Sequence, residues 1–156
     1  MTLLLLCLLI GVVAGLRALT PLAAICWGAY LGWLHYADTS LSFIDHKVTL
    51  LIFTTLAIGE IFNDKLPKTP ARTAIPSLVT RILSGACSAA ALAIGAGSGG
   101  LIGSILAGVV GALLGTYGGY HLRHALVTKS RLPDFAVALP EDLIAIVGGL
   151  LIVSRL

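Results

Sequence analysis

Long apolar tracts separated by short polar connections run along the whole chain. The first tract extends over residues 3–34, and later tracts cover residues 48–62, 76–96, 101–127 and 135–153. A transmembrane helix needs roughly 20 apolar residues, so each later tract matches one helix. The pattern predicts an all-α integral membrane protein with about five transmembrane helices, in a single domain over residues 1–156.

The first tract is too long for one upright helix, and it contains a break signal. Arg17 interrupts the apolar run, and Thr20 followed by Pro21 is typical of a helix start. Threonine can cap a helix, and proline fits the first helical position because its missing N–H is not needed there. Two interpretations stay open. The tract is either a broken or re-entrant pair of half-helices, or one long tilted helix with a proline kink.

Composition supports the membrane assignment. Hydrophobic residues make up 58% of the chain and charged residues 11%, whereas soluble domains carry about 25% charged residues. The cysteines Cys7, Cys26 and Cys87 lie far apart in apolar tracts, which favours free thiols over disulfides or a zinc site. A net charge of +3 without a basic stripe gives no support for nucleic-acid binding. No cofactor is predicted.

Basic residues are concentrated in two connections, 63–81 and 124–133, whereas 35–47 and 97–100 contain few. Because cytoplasmic loops carry an excess of Lys and Arg, both basic connections should face the cytoplasm from a multi-pass protein of the cell inner membrane. If the first tract crosses once, the N-terminus is cytoplasmic. If that tract is re-entrant, the N-terminus moves outside and the remaining topology is unchanged.

Small residues recur at every fourth position of the fourth predicted helix. At this spacing, two helix backbones can approach each other closely in lipid. We interpret the row as a helix-packing face, used for static packing or for a homodimer; a sliding surface in a transporter is the alternative. The row includes Gly103, Gly111, Gly115 and Gly119, and matching pairs lie at Gly11/Gly15 and Gly28/Gly32.

Charged residues within membrane spans cost about 2.5–3.5 kcal/mol each near the bilayer centre and usually mark function. Arg17 lies roughly 20 Å along the first tract, at the predicted break. An anion held by Arg17, Thr20 and the free N–H groups of the second half-helix would use a recurring transporter device. Alternatively, Arg17 pairs with an internal carboxylate and holds the helices together. The residues predicted to attract the anion from the cytoplasmic side are Arg72, Arg81 and Arg123.

Four carboxylates are candidates for proton coupling. Glu60 and Asp64 share one helical face beside a basic connection, and Glu141 and Asp142 follow Pro140. Negative charge is favourable at a helix N-terminus, so capping is the simpler interpretation of Asp142, while it explains Glu141 less well. Because an apolar environment favours the protonated carboxyl, we expect Glu60 or Glu141 to carry protons.

Catalytic and metal-binding motifs are missing from the sequence. It contains no GxSxG, HExxH or P-loop pattern. No metal site is predicted, and an enzyme is less expected than a protein without catalytic activity.

Three segments, GLRALTP, GEIFNDKLPKTPARTAIPSLVTR and LPEDLIAI, occur in this order along the chain. Together they resemble a bacterial membrane family catalogued as domain of unknown function 4126. The resemblance covers nearly the whole chain and implies a membrane protein, but it supplies no activity. The matching residues are Gly15, Arg17, Pro21, Glu60, Asp64, Lys65, Pro67, Glu141 and Asp142.

The leading hypothesis is a small, dimeric transporter, proton-coupled, for an anionic solute or a phosphate-bearing lipid. The alternatives are a membrane scaffold that packs partner helices on its glycine face, and a metal-dependent lipid-modifying enzyme. A transporter requires a water-accessible cavity that reaches Arg17, so a structure that buries Arg17 in a closed ion pair would count strongly against it. A scaffold requires an exposed glycine face, and an enzyme requires three or more acidic or histidine side chains converging on one pocket.

Overall fold

The computed structural model describes residues 2–64, 73–97, 100–130 and 134–156. Within these residues the chain forms six α-helices, one short 3-10 helix at Ser42–Asp45 and no strand, so the all-α fold class is confirmed. The α-helices are α1 (Leu3–Leu16), α2 (Thr20–Tyr30), α3 (Lys47–Asn63), α4 (Ile75–Gly95), α5 (Leu101–Ser130) and α6 (Asp134–Val153).

The first tract is a broken helix whose two halves run in opposite directions. Arg17, directly after α1, contacts Asp142, and Val13 of α1 lies against Gly149, so α1 is antiparallel to α6. In α2, Ala24 also lies against Gly149, and Gly28, one turn later, lies against Val153 at the end of α6. Contacts that advance together along both helices make α2 parallel to α6. The tract is therefore a helical hairpin with residues 17–19 at its tip, and the single kinked helix is excluded.

Glycines hold α1, α4 and α5 together in one bundle, called the glycine bundle below. A Cβ on Gly111 would lie 2.1 Å from the Leu8 carbonyl oxygen, and a Cβ on Gly115 would lie 2.2 Å from the Val12 oxygen. Where α4 crosses α5, a Cβ on Gly108 would lie 2.4 Å from the oxygen of Gly85. These backbones touch directly, which only glycine permits.

The remaining helices, α2, α3 and α6, form a second layer, called the carboxylate layer below. In this layer α2 packs between α3 and α6. The Trp27 indole N–H donates to the Thr54 hydroxyl at 3.2 Å. The hairpin of the first tract joins the two groups, since α1 belongs to the glycine bundle and α2 to the carboxylate layer.

Two ends of the molecule can be distinguished. The tip of the hairpin lies beside the end of α3 and the start of α4, and we call this the break end. At the opposite end, the buried Tyr36 hydroxyl donates to the Ala91 carbonyl at 2.9 Å. Burial raises the pKa of Tyr36, with smaller contributions from Cys26 and Asp45, so the hydroxyl keeps the proton that it donates.

Two local predictions are wrong. Thr20 does not cap α2, because the helix begins at Thr20 itself and the Thr20 hydroxyl has no hydrogen-bond partner among the described residues. At the other site, α6 continues through Pro140 from Asp134, so Asp142 lies well inside the helix and does not cap it. A proline removes one helical hydrogen bond, and here that loss does not end the helix.

Two helices within the described residues are long and apolar enough to cross a bilayer: Ile75–Gly95 and Leu101–Thr128. Only 44% and 33% of their most apolar segments are buried. The core helix of a soluble protein would be mostly buried, so this exposure favours a lipid environment. Among the shorter helices, Leu3–Leu16 is also apolar.

Candidate functional site

The break between α1 and α2 leaves backbone groups that no helix satisfies. Arg17 has an extended backbone, with φ −142° and ψ 114°, and ends α1. Beyond it, the N–H groups of Ala18 and Leu19 donate to the two carboxylate oxygens of Glu60, at 2.7 and 2.8 Å. Glu60 therefore takes the capping position that the sequence assigned to Thr20, and its negative charge faces the start of α2.

The carbonyl side of the break is bound by Arg81 from α4. Its Nη1 donates to the carbonyl oxygens of Gly15 and Leu16, at 2.6 and 2.7 Å. The Ser84 hydroxyl donates to the oxygen of Ala18. A guanidinium at the end of α1 is also favourable for the helix dipole. Both ends of the broken helix are thus satisfied by side chains from neighbouring helices.

Arg17 lies at the centre of the site and is only 1% exposed. Its Nε donates to Asp142 Oδ1 at 2.8 Å, and Nη2 donates to the same oxygen. Its Nη1 donates to Asp64 Oδ2. The guanidinium thus joins α1 to carboxylates from α6 and α3. Removing one partner from such a buried pair typically costs about 3–5 kcal/mol.

Among the described residues, four ion pairs cross between the glycine bundle and the carboxylate layer. The arginines lie in or directly after helices of the glycine bundle, and the carboxylates lie in or directly after helices of the carboxylate layer. Besides the pairs of Arg17, Arg81 Nη2 lies 3.9 Å from Asp64 Oδ2. Farther along, Arg123 Nη1 lies 3.9 Å from Glu141 Oε2. We call Arg17, Arg81, Glu60, Asp64 and Asp142 the charge cluster.

The structure brings together most of the predicted site residues. Arg17, Arg81, Glu60, Asp64 and Asp142 meet at the break, and Thr20 is buried beside it. Arg123 and Glu141 form a separate, more exposed pair. Arg72 lies outside the described residues, as do Lys65 and Pro67.

The predicted helix-packing residues fall into two groups. Gly111 and Gly115 lie against the backbone of α1. Gly103 is less closely packed, since a Cβ at this residue would lie 3.4 Å from the side chain of Leu4. Gly119, one turn beyond Gly115, is partly buried.

Sequence reasoning missed the serines of α4 and Thr116 of α5. Ser84 binds the break directly, and the Thr116 hydroxyl donates to the carbonyl of Gly15 at 3.3 Å. A signal was available in α4, since Ser77, Arg81, Ser84 and Ser88 recur every three or four residues and so share one face. A polar stripe on an apolar helix indicates a buried polar contact.

The site does not have the form of a metal centre. Across residues 2–64, 73–97, 100–130 and 134–156, no group of three or more His, Cys, Asp or Glu is arranged to hold a metal ion. The three carboxylates of the charge cluster bind guanidinium and backbone N–H groups instead.

These features define an all-α protein with a buried charge cluster at a helix break, and two of its described helices are long and apolar enough to cross a membrane. More specifically, the chain belongs to the family described as Domain of unknown function (DUF4126), which it matches over residues 4–154. The family prediction made from the three sequence segments is therefore confirmed. No curated protein and no solved structure matches the chain.

Proposed function

We propose that this chain is a small multi-pass membrane transporter that carries an anion together with protons at the charge cluster. Buried Arg17 pairs with Asp64 and Asp142, and this closed pair counts against anion binding at Arg17 in the present conformation. The proposal is carried by the origin of the two carboxylates in two different helices of the carboxylate layer, so that a second conformation, in which one carboxylate has left the guanidinium, can admit the anion. Ionisable residues buried inside a membrane protein are costly and mark functional sites by default.

Membrane insertion is supported by the distribution of polar and apolar side chains. Arg17, Arg81 and Asp142 are 1%, 3% and 6% exposed, whereas Ile75 and Ile102 are 78% and 76% exposed. Soluble proteins seldom expose large continuous apolar surfaces. A bilayer removes the cost of the apolar surface.

The proposed orientation places the break end toward the cytoplasm of the cell inner membrane. The segment that joins α3 to α4 carries Lys65, Lys68 and Arg72, and cytoplasmic loops are rich in such residues. Because α1 and α2 form a hairpin, both chain termini then lie on the outer side. In place of five equivalent crossings with a cytoplasmic N-terminus, we propose four crossings, α3 to α6, plus the hairpin.

The chain's own carboxylates occupy the positions at which the sequence predicts a bound anion. Asp64 and Asp142 bind the Arg17 guanidinium, and Glu60 binds the free N–H groups of the break. An anion that enters the protein can bind Arg17 only when Asp64 or Asp142 has moved away from the guanidinium. Protonation of Asp64 or Asp142 removes the negative charge that holds it there, so anion entry is coupled to proton uptake.

The break is also the point at which we propose that the carboxylate layer moves relative to the glycine bundle. The ion pairs of the charge cluster connect the glycine bundle to the carboxylate layer, and the hairpin tip is the covalent link between α1 and α2 at the same point. Loss of these ion pairs frees the layer to shift relative to the bundle. Transporters commonly place substrate sites at such broken helices. An inorganic anion and the phosphate of a lipid headgroup are the two sources of ligand to test.

The other hypotheses have less structural support. A scaffold that used the glycine row would need that face exposed, but Gly111 and Gly115 lie against α1 of the same chain. A lipid-modifying enzyme would need its converging carboxylates accessible, but these carboxylates bind Arg17 and the backbone. A homodimer stays a prediction.

A flux assay in proteoliposomes tests the transport proposal. Chloride, phosphate and small carboxylates are offered with and without an inward proton gradient, and release of a phosphate-bearing lipid from one leaflet is measured in parallel. We expect saturable flux of one ligand that the proton gradient accelerates at least severalfold. Asp142→Asn, which imitates the protonated carboxyl, should retain flux but lose most of this acceleration.

Arg17→Lys and Arg17→Gln separate charge from geometry, with Arg155→Gln at an exposed position as the matched control. Each variant is first checked for a single elution peak and for its melting temperature in detergent. Arg17→Gln should lose flux, whereas Arg155→Gln should keep it. Flux that is equal for the native protein, folded Arg17→Gln and empty liposomes would rule out the proposal.

A further inference from the structure

An apolar groove runs along α2 between α3 and α6. Its volume is about 380 Å³. Small buried side chains form its floor, including Ala23, Ala24 and Ala57, and large apolar side chains rise on either side, including Ile58 and Ile146. Apart from Thr20 and Thr54, the residues that line the groove are apolar or tryptophan.

The groove is open to the perimeter of the molecule. Ile58 and Ile146 are 50% and 41% exposed, so a bound molecule can enter sideways from the surrounding lipid. Along α2, the lining runs from Thr20 beside the break to Leu31 at the opposite end. At 1.5 Å per residue this is about 16 Å, close to half of a hydrocarbon core of about 30 Å. The groove therefore spans one leaflet.

The dimensions suit a single extended chain better than a helix. A volume of about 380 Å³ over about 16 Å of α2 leaves a mean cross-section of about 24 Å², whereas a helix is about 10 Å across. The apolar lining offers no charged partner for a headgroup. Trp33 lies at the end away from the break, and tryptophan is enriched where the hydrocarbon core meets the headgroups.

We propose that the groove binds one acyl chain of a phospholipid from the leaflet at the Trp33 end. The headgroup lies outside the groove at that surface, and the methyl end of the chain points toward Thr20. The small side chains of Ala23, Ala24 and Ala57 make the depth that distinguishes this position from the rest of the lipid-facing surface. The proposal is independent of transport, since the groove contains no residue of the charge cluster.

The protein's own fluorescence can test this site. The chain contains two tryptophans, and both Trp27 and Trp33 line the groove. The full-length protein is placed in detergent micelles and titrated with phosphatidylcholine brominated on its acyl chain. A bound chain should quench the tryptophan emission at a low ratio of lipid to protein and then saturate, whereas lipid that only mixes into the micelle quenches in proportion to its mole fraction.

Two comparisons make the test specific. A variant with Trp27→Phe, Trp33→Phe and Leu114→Trp places the only tryptophan on the exposed face of α5, where Leu114 is 57% exposed, and should show proportional quenching. Ala57→Phe fills the floor of the groove and should reduce the saturable component at least twofold. Leu106→Phe, at a residue 60% exposed on α5, is the matched control and should leave that component unchanged.

Folding is checked for each variant by elution profile and melting temperature. If Ala57→Phe does not fold, Ile146→Phe narrows the groove from its opposite wall and gives the same expectation. Proportional quenching of the tryptophan emission in the native protein, or a saturable component that persists in a folded groove-filling variant, would overturn the proposal.

Discussion

The glycine bundle and the carboxylate layer differ in how closely their helices pack. In the glycine bundle, backbones meet without intervening side chains, as at Gly111 and Leu8. In the carboxylate layer, the helices are separated widely enough to leave a groove of about 380 Å³ along α2. The two groups are joined by ion pairs at the charge cluster. From this difference we expect the bundle to be the rigid frame and the layer to be the part that moves.

Small residues and charges have different physical consequences at these contacts. Close backbone packing is lost when a single methyl group is added, because nothing flexible is available to move aside. An ion pair can be opened by a proton or by a competing charge, and it can form again. Permanent contacts are therefore expected within the glycine bundle and switchable contacts at its boundary with the carboxylate layer.

The largest expected effect comes from adding a methyl group inside the glycine bundle. Gly111→Ala places a Cβ 2.1 Å from the Leu8 oxygen, so α1 and α5 must separate. We expect a loss of stability of about 3 kcal/mol or more, measured by thermal unfolding in detergent. Gly118→Ala, in the same helix with nothing within 4 Å, is the control and should be neutral or stabilising by up to about 1 kcal/mol. Similar melting temperatures for the two variants would mean that the frame is not rigid.

The next effect concerns the connection between the two groups. Arg17→Gln leaves the carboxylates of Asp64 and Asp142 without their guanidinium, and we expect a destabilisation of about 3–5 kcal/mol. Combining it with Asp142→Asn should recover part of this loss, because the residues act as a unit. The four proteins of this double-mutant cycle are compared by denaturant unfolding. Strict additivity of the two changes would show that the ion pair does not couple the bundle to the layer.

A smaller effect is expected at the cap of α2. Glu60→Gln retains one carbonyl oxygen as acceptor but loses the charge and the second acceptor for the N–H groups of Ala18 and Leu19. The expected cost is about 1–2 kcal/mol. Hydrogen exchange of the first turn of α2 measures the local effect, with Asp45→Asn at an exposed position as control. If the first turn of α2 exchanges hydrogen at the same rate in Glu60→Gln as in the native protein, Glu60 does not cap the helix.

The helices and the break could be predicted because they depend on local sequence. Apolar tracts bounded by glycine, proline and charge gave α3 to α6 to within a few residues, and Pro21 indicated the break. The glycine row was visible for the same reason, since its spacing is that of one helix face.

The contacts at the break depend on tertiary structure, and no sequence spacing encodes them. Arg17 and Asp142 are separated by 125 positions, and only the packing of α6 against α1 brings them together. The sequence left open whether Arg17 binds an anion or an internal carboxylate, and in this conformation it binds two carboxylates. Thr20 was assigned the cap because its local pattern is typical, but Glu60 reaches the same N–H groups from α3 with two acceptor oxygens.

The short helices of the first tract affect the membrane as well as the protein. At 1.5 Å per residue, α1 and α2 are about 21 Å and 16 Å long, whereas α5 is about 45 Å long. In the proposed bilayer, with a core of about 30 Å, the hairpin ends partway through the core while α5 tilts or projects beyond the surface. We therefore expect the protein to deform its bilayer unevenly, at a cost of fractions of a kcal/mol per Å of mismatch. Bilayer thickness would then be a variable to which its conformation responds, without any ligand being bound.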